Sequence, residues 1–502
     1  MDIISNISYG FSVALTPMNI VYCLVGVFIG TLIGVLPGIG PVGAISMLLP
    51  VTFYIPPVST IIMLAGIFYG AQYGGSTTSI LVNIPGEATT VATCLDGYQM
   101  TKQGRAGPAL GIAAFGSFIA GTLSVLGLTL LAPPLAEYAL KFGPPEYFSL
   151  MTVGILMLIY LVSGSIPKAI TVALFGIILA SVGTDYTSGR QRFTFGILEL
   201  NEGIGVVPLV MGLYGISEVL INVEQSVGGL DVFKERIKGL LPTRQDWKDS
   251  KWPIARGTLI GFFFGIIPGA GSIISTFISY GTEKRLSKHP ENFGKGAIEG
   301  VAGPESANNA GVAGAFVPLL TLGIPSNAVM AVLLGAFLIH GVQPGPLLMH
   351  NHPDIFWGVV FSMYMGNVML LVLNLPLIGM WVQVLKIPYR VLFPLILLFC
   401  VIGAYSINYS AADVLIMIIF GVVGYLMRKF GYEAAPLVLA YVLGPMLELA
   451  FKQSLIMSNG SFAIFFTRPI SAVGLLLAIL LIISSFVPMI RQKRVEIRSA
   501  EE

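Results

Sequence analysis

Twice in this chain a Pro-Gly-x-Gly sequence interrupts an oily stretch: Gly34-Val35-Leu36-Pro37-Gly38-Ile39-Gly40-Pro41 and Gly265-Ile266-Ile267-Pro268-Gly269-Ala270-Gly271-Ser272. Proline removes a backbone donor and glycine adds backbone entropy, so neither copy continues a helix without cost. In hydrocarbon no water takes up the freed N–H and C=O groups. Broken backbone is tolerated there only where protein buries it or where it lines a wet cavity. The surroundings are of that kind. Only 10% of the 502 residues are charged, against roughly 25% in an average globular chain. Residues 147–165, 356–384 and 470–490 carry no Asp, Glu, Lys or Arg. Each is long enough for the helix of about 20 residues that crosses a bilayer. The expected fold class is an all-α polytopic membrane protein.

The chain also resembles itself. The pentapeptide Gly-Thr-Leu-Ile-Gly stands at 30–34 and 257–261, and the breaks follow three and seven residues after its second glycine. That difference is about one helical turn. Asn83-Ile84-Pro85-Gly86-Glu87-Ala88 pairs with Gly323-Ile324-Pro325-Ser326-Asn327-Ala328, and Gly104 to Pro108 pairs more weakly with Gly341 to Pro346. Order and approximate spacing agree, which implies a duplication. The expected division is a first membrane repeat 1–223, a cytoplasmic linker 224–253, a second repeat 254–490 and a cytoplasmic basic tail 491–502.

Charge gives the orientation. Seventeen of the 27 basic residues lie in 234–256, 284–295, 428–429 and 491–498, and short cytoplasmic loops collect Lys and Arg. Placing these clusters inside yields a consistent path with a cytoplasmic C-terminus, although it leaves Arg190 and Arg192 outside. Residues 49–57, after the first break, are uncharged, whereas Glu283-Lys284-Arg285-Leu286-Ser287-Lys288 follows the second. Lys102 and Arg105 follow the first Ile-Pro; no Lys or Arg follows the second before residue 353. The repeats are therefore expected to be inverted. Basic residues at both ends of 256–284 suit a re-entrant hairpin, with a single broken crossing as the rival. The Ile-Pro elements, 77–100 and 311–339, read as broken crossings.

Inverted repeats with interrupted helices place a site near the midplane. Two polar runs fall between the breaks: Gly74-Gly75-Ser76-Thr77-Thr78-Ser79, continuing to Asn83, and Gly303-Pro304-Glu305-Ser306-Ala307-Asn308-Asn309-Ala310-Gly311. Hydroxyls and amides at membrane depth are costly unless paired. As donors they suit carboxylate oxygens; with carbonyls freed by the breaks they suit a sodium ion. Half-helix N-termini add positive dipole ends. The candidate anion site comprises Gly38, Gly40, Ser76, Thr77, Thr78, Ser79, Asn83, Gly269, Gly271, Ser272, Asn308 and Asn309, with Ser326 and Asn327 as possible half-helix caps. Glu305, inside the second run, is the candidate ion-coupling carboxylate. Asp96 is close to Lys102 and reads as an interfacial ion pair. No Lys or Arg lies in these motifs, so neutralisation of a bound anion falls to ions and dipoles.

Other classes find little support. Cys23, Cys94 and Cys400 are scattered and read as small core residues, and no metal or other cofactor is expected. There is no phosphate loop and no clustered catalytic set, so the chain is not read as an enzyme, and nothing points to nucleic acid.

Together the two Pro-Gly motifs, Tyr73 to Ser79, and Pro304 to Gly311 resemble the large membrane subunit of tripartite tricarboxylate transporters, the TctA family, over nearly the whole chain. The resemblance implies a bacterial inner-membrane symporter for organic di- or tricarboxylates, coupled to Na+ or H+. It implies a small membrane subunit and a periplasmic solute-binding protein as partners, with lipid around it. Rival readings are a stand-alone sodium–carboxylate symporter, a channel and, in a different class, a membrane-embedded enzyme.

Overall fold

The computed structural model describes residues 3–36, 40–161, 165–185, 187–225, 239–269, 271–385, 387 and 389–486. Pro37 and Gly38 of the first break, much of the linker and the tail 491–502 lie outside the described residues. The first half runs α1 (Ile3–Ala14), α2 (Pro17–Val35), α3 (Gly40–Leu48) with a tight turn at Leu49–Tyr54, and α4 (Pro57–Val82). It continues through a turn at Ala88–Thr90 to α5 (Val91–Lys102), α6 (Ala106–Ala139), α7 (Pro144–Leu161) and α8 (Ile166–Ala180). A two-residue antiparallel pair, β1 (Gly183–Thr184) and β2 (Gln191–Arg192), precedes α9 (Val206–Val210) and α10 (Ser217–Gln225), which a π-helical turn at Met211–Ile216 joins. The second half runs α11 (Arg244–Ile266), α12 (Gly271–Leu286), α13 (Glu299–Leu322), α14 (Ala328–Ile339), α15 (Leu348–Asn351), α16 (Pro353–Asn374) and α17 (Ile378–Val384). It ends with α18 (Tyr389–Asn408), α19 (Ala411–Lys429), α20 (Ala435–Met457), α21 (Ile464–Thr467) and α22 (Pro469–Phe486). Six spans among the described residues are long and apolar enough to cross a membrane. The chain is a mostly helical, multi-pass membrane protein. Residues 356–384, expected as one crossing, are broken between α16 and α17, where Pro376 lacks the donor that would continue the helix.

Glycine decides the central packing. Gly26, Gly30 and Gly34 on α2 lie against the Met63, Ile67 and Ala71 carbonyls of α4, so close that a Cβ would overlap them. Gly257, Gly261 and Gly265 on α11 lie in the same way on Gly303, Ala307 and Gly311 of α13. Small residues at every fourth position let two helix backbones approach without a hydrophobic drive, which lipid cannot supply. In both pairs residue numbers rise together, so the paired helices are parallel, and α3 and α12 must carry the chain back between them. For α12 the return is direct: Gly271 sits against the Phe264 carbonyl, and Arg256 on α11 pairs with Glu283 near the end of α12.

The two halves carry matched landmarks. α4 ends on Asn83 and α13 on Gly323, both left-handed (φ 58° and 71°). α5 and α14 are each 12 residues long and are followed by Gly104 (φ 75°) and Gly341 (φ 70°). Arg105 N donates to Met100 O at 2.8 Å, and Val342 N to Phe337 O at 2.9 Å. This is the same left-handed helix closure. The packing equates Gly34 with Gly265, which aligns Pro37 with Pro268 and removes the one-turn discrepancy. The pentapeptide match is one turn out because both stripes repeat glycine every four residues.

The halves also interlock. Gly176 of α8 meets the Leu437 carbonyl of α20, and Gly212 in the π turn meets the Met417 carbonyl of α19. α13 packs along α6 in the centre. One set of polar ties joins loops that the charge pattern assigns inside: Arg105–Asp246 at 2.6 Å, Lys429–Glu224 at 2.7 Å, and Arg428–Glu218. Another joins loops assigned outside. Arg192 reaches Glu448 at 2.9 Å and Asp185 at 3.2 Å, and Lys452 reaches both acids. Arg192, unexpected on that face, is thus held by acids.

Candidate functional site

The parallel pairs bring α4 and α13, the carriers of both polar runs, into the middle of the molecule. The whole of the second run, Gly303 to Gly311, is buried, as is Gly74 to Ser79. Glu305 is fully buried. Its carboxylate accepts from the Ser76 hydroxyl of α4 and from the Thr93 hydroxyl of α5. One acid of the second half is therefore held by two hydroxyls of the first. One turn on, the Asn309 amide donates to Ser117 Oγ of α6 at 2.6 Å and to the Glu305 carbonyl at 3.1 Å. Asn308, 1% exposed, has no partner for either amide atom. Beside Ser76, Gln72 accepts from Thr89 Oγ1 at 2.8 Å and faces the Glu87 carboxylate, whose Oε1 is buried without a partner. No described ion pair includes Glu305 or Glu87.

The other candidates form a collar in each half. In the first, Thr78 Oγ1 donates to the Val35 carbonyl at 2.9 Å, taking up an acceptor that the end of α2 leaves free. Ser79 Oγ bridges the Gly75 carbonyl (2.9 Å) and Thr90 Oγ1 (2.8 Å). Thr77 is buried on the α6 side of α4. Gly40 (φ 64°) opens α3 and is half-buried, Gly38 lies outside the described residues, and Asn83 is exposed as the cap of α4. Gly86 packs on Gly34 and Gly75, seating the Ile84-Pro85 loop on the end of α2.

In the second half Gly269 (φ 119°) donates its N–H to the Ser326 carbonyl at 2.7 Å, seating the Ile324-Pro325 loop on the Pro268 turn. Ser326 Oγ is buried without a partner. Asn327 caps α14 by accepting from Met330 N at 2.9 Å, and Glu87 stands at the matching cap position before Ala88–Thr90. Gly271 opens α12, and Ser272 Oγ faces Gly311.

The geometry thus joins Ser76, Glu305 and Asn309 across the halves, and joins Gly269 to Ser326 within one. Sequence reasoning missed Thr93, Ser117, Gln72 and Thr89. Each lies outside the two runs, and its only signal is a hydroxyl or amide in a segment at membrane depth. Asp96 is not paired with Lys102. It accepts from Gly296 N (2.7 Å), Ala297 N (2.8 Å) and Tyr280 OH (2.9 Å), while Lys102 lies over the Tyr98 ring. Asp96 therefore ties α5 to the start of α13, where free N–H groups and the helix dipole favour an anion.

Chemically the site offers hydroxyl and amide donors, freed carbonyls and carboxylates without fixed cations. The family model described as the tripartite tricarboxylate transporter TctA family matches residues 20–439. A protein of Agrobacterium vitis, described as an uncharacterized 52.8 kDa protein in the TAR-I ttuC' 3' region, is 51% identical over 494 residues, 98% of either chain. A second from the same organism, an uncharacterized protein in the TAR-II ttuC' 3' region, is 50% identical over 234 residues, 47% of this chain and 97% of the other. No solved structure matches. With the family model spanning most of its length, the chain belongs to the tripartite tricarboxylate transporter TctA family.

Proposed function

We propose that the chain is the large subunit of a binding-protein-dependent, ion-coupled carrier that brings organic di- or tricarboxylates across the bacterial inner membrane. Its two halves, 1–223 and 254–490, act as inverted repeats. Their α2–α3 and α11–α12 segments serve as re-entrant hairpins, and the linker and tail face the cytoplasm. Glu305 binds the coupling cation, Na+ or H+. The carboxylate substrate is held by backbone donors of the two collars and by the amides of Asn308 and Asn309. The observation that carries this reading is the Ser76–Glu305–Thr93 contact, a buried acid without a basic partner among the described residues, where the two polar runs meet. An uncompensated charge at that depth is costly, so a cation resident with the acid gives it a reason to exist. The tripartite family supports a small membrane subunit and a periplasmic binding protein as partners.

The test is uptake of labelled citrate and related acids into proteoliposomes containing the partner subunits, with sodium and pH varied separately. Ser76→Ala and Asn309→Ala should each lower ion-stimulated uptake by about ten-fold or more, the usual weight of a hydrogen bond to a charged or buried polar group. Unchanged uptake and unchanged ion dependence in both variants would overturn the assignment.

A further inference from the structure

A small pocket lies behind the Glu305 contact, between α4, α6 and the corner where α16 gives way to α17. Its polar lining is Tyr73, Ser76 and Thr77 of α4, Ser117 of α6 and Asn374 of α16; Ala114 contributes to the apolar remainder. Its empty space is about 290 Å³ with the open mouth included. The enclosed part admits a group the size of one water and excludes a dicarboxylate. Two polar atoms in this lining are buried without a partner among the described residues, Tyr73 Oη and Asn374 Oδ1, on residues only 3% and 6% exposed. The Asn374 amide nitrogen is already tied to the Leu370 carbonyl at 2.9 Å, so its free atom is an acceptor. Of the other three hydroxyls, those of Ser76, Thr77 and Ser117, two lead inward: Ser76 donates to Glu305, and Ser117 accepts from Asn309.

An oxygen-rich lining with no Lys, Arg or His, backed by a carboxylate, favours water and a small cation over an anion. Position adds a direction. Ala114 and Ser117 lie in the third and fourth turns of α6, on the side of its middle nearer Arg105, and Asn374 closes α16 beside Pro376. We propose that this pocket is the aqueous path by which the coupling cation moves between Glu305 and the face carrying Lys102 and Arg105. Water binds Tyr73 and Asn374, and the Ser76 hydroxyl connects it to the acid. This rests on the reading of Glu305 as the coupling carboxylate.

The experiment uses the full chain with Ala114→Cys, in membrane vesicles of each orientation, with the parent chain as the blank for Cys23, Cys94 and Cys400. The probe is Ag+, a small monovalent cation that binds thiols, followed by a maleimide count of remaining thiols after denaturation. The expected result is reaction about ten-fold faster from the Arg105 face than from the opposite face, and slowed about ten-fold by Asn374→Leu, which removes one water-binding acceptor. Excess sodium nitrate slows the reaction if the path carries sodium and leaves it unchanged if the path carries protons. Ala113→Cys repeats the measurement at a neighbouring lining position should Ala114→Cys fail to accumulate. Reaction no faster than the parent's, equal rates from the two faces, or indifference to Asn374→Leu would overturn the path. Failure of the path with uptake still sensitive to Ser76→Ala leaves the Glu305 reading standing. Normal silver reactivity with uptake insensitive to Ser76→Ala removes that reading and leaves a water pocket.

Discussion

At Glu305 three helices contribute one function each. α13 supplies the acid, and α4 and α5 each supply a hydroxyl. Thr93 is the informative partner, because its methyl can be kept while its donor is removed. Thr93→Val should lower ion-stimulated uptake by about ten-fold with little loss of folded protein, and Thr93→Ser should restore most of it, since a charge-assisted hydrogen bond is worth roughly 1.5–3 kcal/mol. Transport assays on matched amounts of purified protein check this. Glu305 and Asn309 were legible in the sequence because they sit in a dense polar run. Thr93 and Ser117 were not, since a single hydroxyl in a membrane helix looks the same whether it packs against a neighbour or binds an acid. Asp96 misled for a related reason. Proximity in sequence pointed to Lys102, while its partners are backbone N–H groups some 200 residues away.

At the level of elements, the breaks and the polar runs were readable, and the helix pairing was not. The glycine stripe on α2 was visible only as a pentapeptide match, and the four-residue period made a one-turn misalignment indistinguishable from the true one. Contacts between α2 and α4, and between α11 and α13, settle the register. The β1–β2 loop carries Arg192, a basic residue on the face that the charge pattern assigns outside, and its ion pairs with Asp185 and Glu448 account for it there. Hydrogen bonds from Ser188 and Lys452 and the nearby Arg192 hold the Asp185 carboxyl below the ordinary carboxylate range. A depressed folded value means that this support is fully present above about pH 4, the unfolded value, and is lost only as pH falls through the lower folded one. Hydrogen exchange of amides 183–192 should therefore be unchanged between pH 7 and 5 once corrected for intrinsic rates. Asp185→Asn should speed it at either pH. Loosening between pH 7 and 5 in the parent chain would contradict this account.

Across the whole molecule, each half completes the other. α20 of the second half covers α8 of the first, α10 and its π turn pack on α19, and α13 lies along α6. The main glycine stripes are buried within each half, whereas Gly176 and Gly212 of the first half are covered by helices of the second. Cutting the chain between residues 225 and 239 and co-expressing the pieces should yield a complex that co-purifies and transports. Each piece expressed by itself should be degraded or aggregate. Stable, separately purifiable halves would contradict the interlocked arrangement. The sequence announced two halves through its repeated motifs. It did not announce that they interlock, because the interlocking surfaces are ordinary apolar helix faces carrying single glycines such as Gly176 and Gly212.

Glu305, where the halves meet, is the residue proposed to carry the coupling cation. The direct measurement compares the parent and Glu305→Gln, with partner subunits, in proteoliposomes. It follows accumulation driven by an imposed sodium or proton gradient, and exchange of labelled for unlabelled dicarboxylate without a gradient. The account predicts that Glu305→Gln loses gradient-driven accumulation while exchange persists. Accumulation in Glu305→Gln that follows the gradient as steeply as in the parent would contradict it.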